Sequence, residues 1–183
     1  MTGILPEAHE TMIKKAILPY LKEEKTDVAS PSSFWCTYVF EEMAQRGYAK
    51  EVLSFIHKNW RPMIKTGTTW EVFTWTPRDG YSSTHAWSAH PSFHLVNILS
   101  GITQLSQGWK KIKFAPYFAE DINSAESIVP TPEGKIKTEW KRDKQGDVKV
   151  QLSLPEGVSA EIDLPGSKKN IKGPGNFETT VKA

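Results

Sequence analysis

Residues 148–164, VKVQLSLPEGVSAEIDL, contain two runs in which every second side chain is apolar: Val148, Val150, Leu152 and Leu154, then Val158, Ala160, Ile162 and Leu164. Pro155-Glu156-Gly157 separates the runs. Alternation of period two means one buried and one wet strand face, and a Pro–Gly interruption marks a turn. The pattern extends in both directions. Upstream, Ile136, Thr138 and Trp140 share a face, and Ile112 and Phe114 alternate with lysines. Further turns fall at Pro132-Glu133-Gly134, Asp143 to Gly146, and Pro165-Gly166. Short strands at this spacing predict an antiparallel β-sandwich over residues 107–183.

Before Trp109 the apolar period is 3.6, and residues 1–106 read as helices. The first spans about 6–24, with Pro6 in its first turn, Glu7 and Glu10 at its positive end, and a stripe of Ile13, Ala16, Ile17, Tyr20 and Leu21. Ser30-Pro31 opens a second helix, Ser30 as cap and Pro31 as first residue, that Gly47 ends. Its interior, FWCTYVFEEMA, is apolar on most faces, so burial on more than one side is expected, Trp35 included. A third runs from Ala49 to Trp60 with Val52, Leu53, Phe55, Ile56 and Trp60 inward, and Pro62 kinks or restarts it. A fourth passes through Phe93, Leu95, Val96, Ile98 and Leu99 and stops at Gly101. Helices joined by short turns suggest hairpins. The fold class is therefore multidomain, α then β.

Composition narrows the function classes. The 183 residues carry a net charge of +2 with 24% charged side chains, so no strong field calls for nucleic acid or a membrane surface. Lysines 110, 111, 113, 135 and 137 alternate with apolar residues and read as a solvated strand face. The one cysteine, Cys36, excludes an internal disulfide and reads as a small buried hydrophobe. Met1 to Pro6 shows no basic start or apolar run of a signal peptide, and no apolar stretch reaches the ~18 residues of a membrane span. The compartment is left open, with a periplasmic or extracellular parent protein among the options.

Between the helices lies Thr66 to Pro91, TGTTWEVFTWTPRDGYSSTHAWSAHP, with three of the seven tryptophans and two of the five histidines. It is too aromatic for an idle linker, and loops on rigid elements are where sites usually sit. Glu71, between Trp70 and Val72, is its central carboxylate. From the residues alone it reads as a surface glutamate or a helix cap before it reads as a base. His85 reads equally as a core histidine bonded to backbone or as a ligand contact. Trp70, Trp75 and Trp87 are candidates to stack on the flat face of a ligand. Arg78 and Asp79 read as an exposed turn. His90 and His94 have metal-like spacing, but no third ligand stands nearby, so neither metal nor cofactor is expected.

Ser30-Pro31-Ser32-Ser33-Phe34, Gly67-Thr68-Thr69-Trp70-Glu71 and His85-Ala86-Trp87-Ser88-Ala89 with Pro91 follow one another in order. Gly101-Ile102, Gly108-Trp109, Phe114-Ala115-Pro116, Val129-Pro130-Thr131-Pro132 and Gly134 come next. This ordered set, from about residue 4 to 165, resembles the α-L-rhamnosidases, inverting glycoside hydrolases built as an (α/α)6 barrel followed by a β-sandwich. The resemblance implies that residues 1–106 are the last helical hairpins of a six-hairpin barrel, incomplete here. It further implies that Glu71 is the general base and that His85 hydrogen-bonds the sugar, with the loop tryptophans beside it. The ligand would be a deoxy-sugar glycoside. The general acid of such enzymes lies upstream and has no counterpart here. The chain is therefore expected to need the missing barrel part or a self-association partner. The rival expectations are a carbohydrate-binding remnant without chemistry and a structural piece of a split enzyme.

Overall fold

The computed structural model describes residues 8–182, so the reading of Pro6 and Glu7 as a helix start lies outside the described residues. The chain divides into two compact units, residues 1–94 and 95–183.

In the first unit the opening helix runs through α1 (His9–Met12), a π-helical segment (Ile13–Ile17) and α2 (Leu18–Leu21). Pro19 has no N–H to give, and its ring crowds the preceding turn, so the helix widens there instead of keeping its i→i−4 ladder. α3 (Cys36–Gln45) and α4 (Ala49–Trp60) form a hairpin around Gly47, whose φ of +88° provides the left-handed turn. Arg61–Lys65 continues α4 as a 3-10 turn, the outcome of Pro62. The core is aromatic. Phe40 meets Phe55 at 5.8 Å and Trp60 at 6.0 Å, while Tyr20 meets Phe55 at 5.1 Å. Cys36 is fully buried beside the Tyr20 hydroxyl, 3.3 Å away, and burial pushes its thiol up to about 11, as befits an inert packing residue.

Three expectations for α3 need correction. The helix begins at Cys36, not after Ser30, and no side chain caps it. The Ser32 carbonyl takes its first bond, from Cys36 N–H at 3.1 Å, and the Pro31 carbonyl accepts from the Tyr20 hydroxyl. Trp35 is not a core residue: it is 58% exposed, with Tyr38 beside it 55% exposed. Phe40 and Phe55 are buried, because α3 and α4 close over each other.

The second unit begins within α5 (Pro91–Leu99) and, among the described residues, holds eight strands. β1 (Ile102–Gln104) and β2 (Lys111–Phe114) pair antiparallel, with a short 3-10 turn, Gln107–Trp109, between them. β3 (Ser124–Thr131), β4 (Gly134–Arg142) and β5 (Val148–Leu154) form a meander completed by β8 (Gly175–Val181). β6 (Ser159–Leu164) and β7 (Ser167–Lys172) return to the first sheet. The sheets have orders β1-β2-β6-β7 and β3-β4-β5-β8. Every pairing is antiparallel except β2 with β6, which run parallel because three strands of the other sheet intervene in sequence. Pro155-Glu156-Gly157 thus carries the chain from one sheet to the other.

The alternating residues of both sheets meet in one core. Ile112, Phe114, Ala160 and Ile162 pack with Trp140, Val150, Leu152 and Phe177. This is a β-sandwich. On the outer face of the parallel pair, Lys111 bonds Glu161 at 2.5 Å and Lys113 bonds Asp163 at 2.9 Å, so these lysines are paired and solvated. Edge strand β7 carries exposed Lys168, Lys169 and Lys172, charges that discourage a further strand from adding.

Candidate functional site

The loop between α4 and α5 folds back on itself. The Glu71 N–H donates to the Ser82 carbonyl at 3.0 Å, and the His85 N–H donates to the Thr69 carbonyl at 2.8 Å. The threonines add rungs: Thr68 Oγ1 donates to Ser83 O at 2.5 Å and Thr69 Oγ1 to His85 O at 2.9 Å. Two short extended pieces, 68–71 and 82–85, therefore run antiparallel without forming an assigned strand. Between them Thr76 N–H donates to Asp79 Oδ2 at 2.9 Å, closing the Pro77-Arg78-Asp79-Gly80 turn, which lies exposed.

Aromatic anchors on both sides fix Glu71. Trp70 is buried; its amide meets Met63 Sδ and its indole N–H donates to Thr66 Oγ1 at 2.8 Å. Phe73 packs edge-on against Trp60 at 4.8 Å and against Phe55 at 5.9 Å. With residues 70 and 73 held in place, the carboxylate between them is half-buried. Its Oε2 accepts from the Ser82 N–H at 2.8 Å, the return bond of the Glu71–Ser82 pair. Among the described residues, Oε1 accepts no hydrogen bond.

His85 and Trp87 sit on the same segment, their rings 4.3 Å apart. The Trp87 indole N–H donates to the Glu71 carbonyl at 3.1 Å, so the histidine–tryptophan pair is tied to the backbone of the glutamate. Trp87 is 37% exposed and leans on Phe34, while His85 is half-buried. Trp75 is half-buried, stacks on Trp70 at 5.4 Å, and donates to the Tyr81 carbonyl. Glu71, His85 and Trp87 thus form one linked group. Trp75 stands beside it on Trp70, which is placed to shield and prop it.

Sequence reasoning missed the buried polar layer under this group. Ser33 Oγ donates to the Glu71 carbonyl at 2.7 Å, Ser88 Oγ donates to Ser33 Oγ at 2.8 Å, and the Trp60 indole donates to the Ser88 carbonyl. His90 Nε2 donates to the Ser33 carbonyl at 2.6 Å. Partners 28 to 57 positions apart leave no local signal.

His90 and His94 lie 5.3 Å apart, among Phe40, Trp60 and Phe93, with His94 bonded to Thr37 Oγ1. Burial, then the neighbouring His90, holds the His94 imidazole down to about 4; burial also lowers His90. Unfolded histidines protonate near ~6.5, so between about 6.5 and 4 the unfolded chain binds more protons than the folded one. Stability contributed by the neutral pair is full above about 6.5 and is lost as pH falls through that window. The expected result is a thermal midpoint that drops between pH 7 and pH 4.5, with a shallower drop in His94→Asn. Equal slopes would remove His94 from this role.

Comparison with known proteins agrees with the architecture. Residues 101–177 match the bacterial alpha-L-rhamnosidase C-terminal domain. A comparison with curated protein sequences gives no match. The chain superposes on the alpha-L-rhamnosidase of Aspergillus terreus with a TM-score of 0.81 at 19% identity, over 96% of this chain and 22% of that one. The alpha-L-rhamnosidase of "Dictyoglumus thermophilum" gives 0.72 at 18%, over 82% and 21%. The GH78 family rhamnosidase of Bacillus sp. GL1 gives 0.67 at 26%, over 80% and 16%. The chain therefore spans about a fifth of the length of the solved relatives it matches, and it is similar to the C-terminal part of α-L-rhamnosidases.

Proposed function

We propose that this chain supplies the C-terminal part of an inverting α-L-rhamnosidase-like glycoside hydrolase, with Glu71 as the general base and His85, Trp75 and Trp87 beside the sugar. One observation carries the reading. A half-buried carboxylate has one oxygen fixed by a backbone N–H, while the residue's own carbonyl is tied to the exposed Trp87, which packs on half-buried His85. A base needs this arrangement: it must stay ionised, hold a fixed direction, and keep an acceptor for the proton of an attacking water. In inversion Glu71 takes that proton while an acid protonates the leaving oxygen, the two carboxyls standing roughly 6.5–9.5 Å apart. Asp79 closes its turn; the resemblance to α-L-rhamnosidases implies that the acid comes from a segment outside this chain and that the helices here are the last hairpins of that barrel.

The test joins the chain to a barrel segment bearing the acid and measures release of L-rhamnose from an aryl α-L-rhamnoside. Turnover lost in Glu71→Gln supports the reading. The exposed ring of Trp87 next to His85 also fits sugar binding without chemistry. Calorimetry on the chain alone, with binding and no turnover in the joined enzyme, would favour that second reading.

The exposed Trp35, Tyr38 and Phe93 bear on assembly, because aromatic surface of this kind marks interfaces or aggregation. Light scattering is expected to show a mass above the 20.6 kDa monomer for the chain alone, reduced toward the monomer by Trp35→Ser with Tyr38→Ser. A stable monomer before substitution would remove the need for a partner.

A further inference from the structure

Ser33 lies in the turn, residues 33–35, that leads into α3; its hydroxyl reaches across 38 positions to the carbonyl of Glu71. The proton directions in this contact are forced. A carbonyl only accepts, so Ser33 O–H donates to Glu71 O, and Ser33 Oγ must then accept from Ser88 O–H. Both serines are held from behind as well: His90 Nε2–H donates to Ser33 O, and Trp60 Nε1–H donates to Ser88 O. Ser33 is 1% exposed and Ser88 is fully buried, so both hydroxyls find their partners inside the protein.

The geometry points to Ser33 as a positioning residue for Glu71, with Ser88 as its support, an inference that rests on the reading of Glu71 as the base. The glutamate carbonyl accepts two donors, Ser33 from the buried side and Trp87 from the exposed side. Only the first is fixed to the helical core. Through it, the turn leading into α3 sets the rotation of the Glu71 backbone, and that rotation sets whether Oε2 meets the Ser82 N–H. Removing the hydroxyl leaves Glu71 O tied only to a partly exposed indole and strands the Ser88 proton in a buried site. The carboxylate loses its fixed direction while the helices keep their packing.

The Ser82 amide, which bonds the carboxylate directly, reports this without any turnover. Hydrogen exchange followed by NMR on the full chain is expected to show Ser82 protection about tenfold lower in Ser33→Ala, the size of one lost hydrogen bond of ~1.4 kcal/mol. Amides of α4 should keep their protection, and Ser33→Thr, which retains the hydroxyl, should restore that of Ser82. Where Ser33→Ala does not fold, Ser88→Ala is the second variant: it leaves the Ser33–Glu71 bond but removes its support, and a smaller selective loss is expected. Ser82 protection unchanged in these variants, or falling in step with the α4 amides, would overturn the inference. Selective loss at Ser82 together with an active Glu71→Gln enzyme would instead retire the base and leave the link intact.

Discussion

If Glu71 is the base, as proposed, Glu71→Gln is expected to lower kcat for rhamnoside hydrolysis by the joined enzyme by about 10²–10⁴-fold, the usual contribution of a positioned base, with KM little changed. Glutamine has the same length, and its amide oxygen can accept from the Ser82 N–H as Oε2 does now, so the loop keeps its geometry. What disappears is the capacity to take a proton. Glu71→Asp is the complementary test: the shorter side chain withdraws the carboxylate from Ser82 while keeping its charge, and activity is expected to fall as well. Steady-state kinetics on the three enzymes, with the Ser82 amide as a check on geometry, separates loss of the base from loss of the loop. Full activity in Glu71→Gln would remove Glu71 from the mechanism.

Gly101→Ala is expected to destabilise the β-unit by about 2–5 kcal/mol, the sum of a left-handed residue carrying a side chain and an overpacked contact. Gly101 has φ +67°, and a Cβ built on it would lie 2.0 Å from Pro116 N and 2.4 Å from Ala115 C. Those are backbone atoms, held there by the Ala115 N–H bond to Gly101 O at 2.8 Å, so nothing can swing aside. Gly47→Ala is the control. Its φ is +88° but a Cβ there meets nothing within 4 Å, so only the backbone term applies, about 1–2 kcal/mol. Denaturant midpoints of both variants check the difference; equal losses would show that the close approach at Gly101 is not maintained in solution.

Gly101 shows where reading a sequence reaches its limit. As a helix stop it is evident from the residues, because Leu99 ends an apolar period and glycine tolerates positive φ. That Pro116 passes 2 Å from its missing side chain is a pairing fact, since β1 and β2 must first align Ile102 with Phe114. β1 itself is only three residues long, too short to show a period, and it begins inside the region that reads as helical. Likewise the runs at 148–154 and 158–164 are plain as strands. That they separate into different sheets, one of them beside β2 in parallel, depends on which edges remain open once the meander forms.

In the loop, Glu71, His85 and the tryptophans stand out by residue type and order. The turn at Thr76–Asp79 is equally legible, because its bond is local. Trp35 went the other way, since a helix apolar on most faces does not say which face its neighbours reach, and α4 covers Phe40 instead.

Residue order alone settled the α-then-β division, the alternating faces of the sandwich and the loop that carries the carboxylate, because each is written in side-chain periods over a few neighbouring positions. Packing alone settled the partition into two sheets, the exposure of Trp35, and the buried serines beneath Glu71. Those features depend on contacts between residues dozens of positions apart, and only the folded chain brings them within bonding distance.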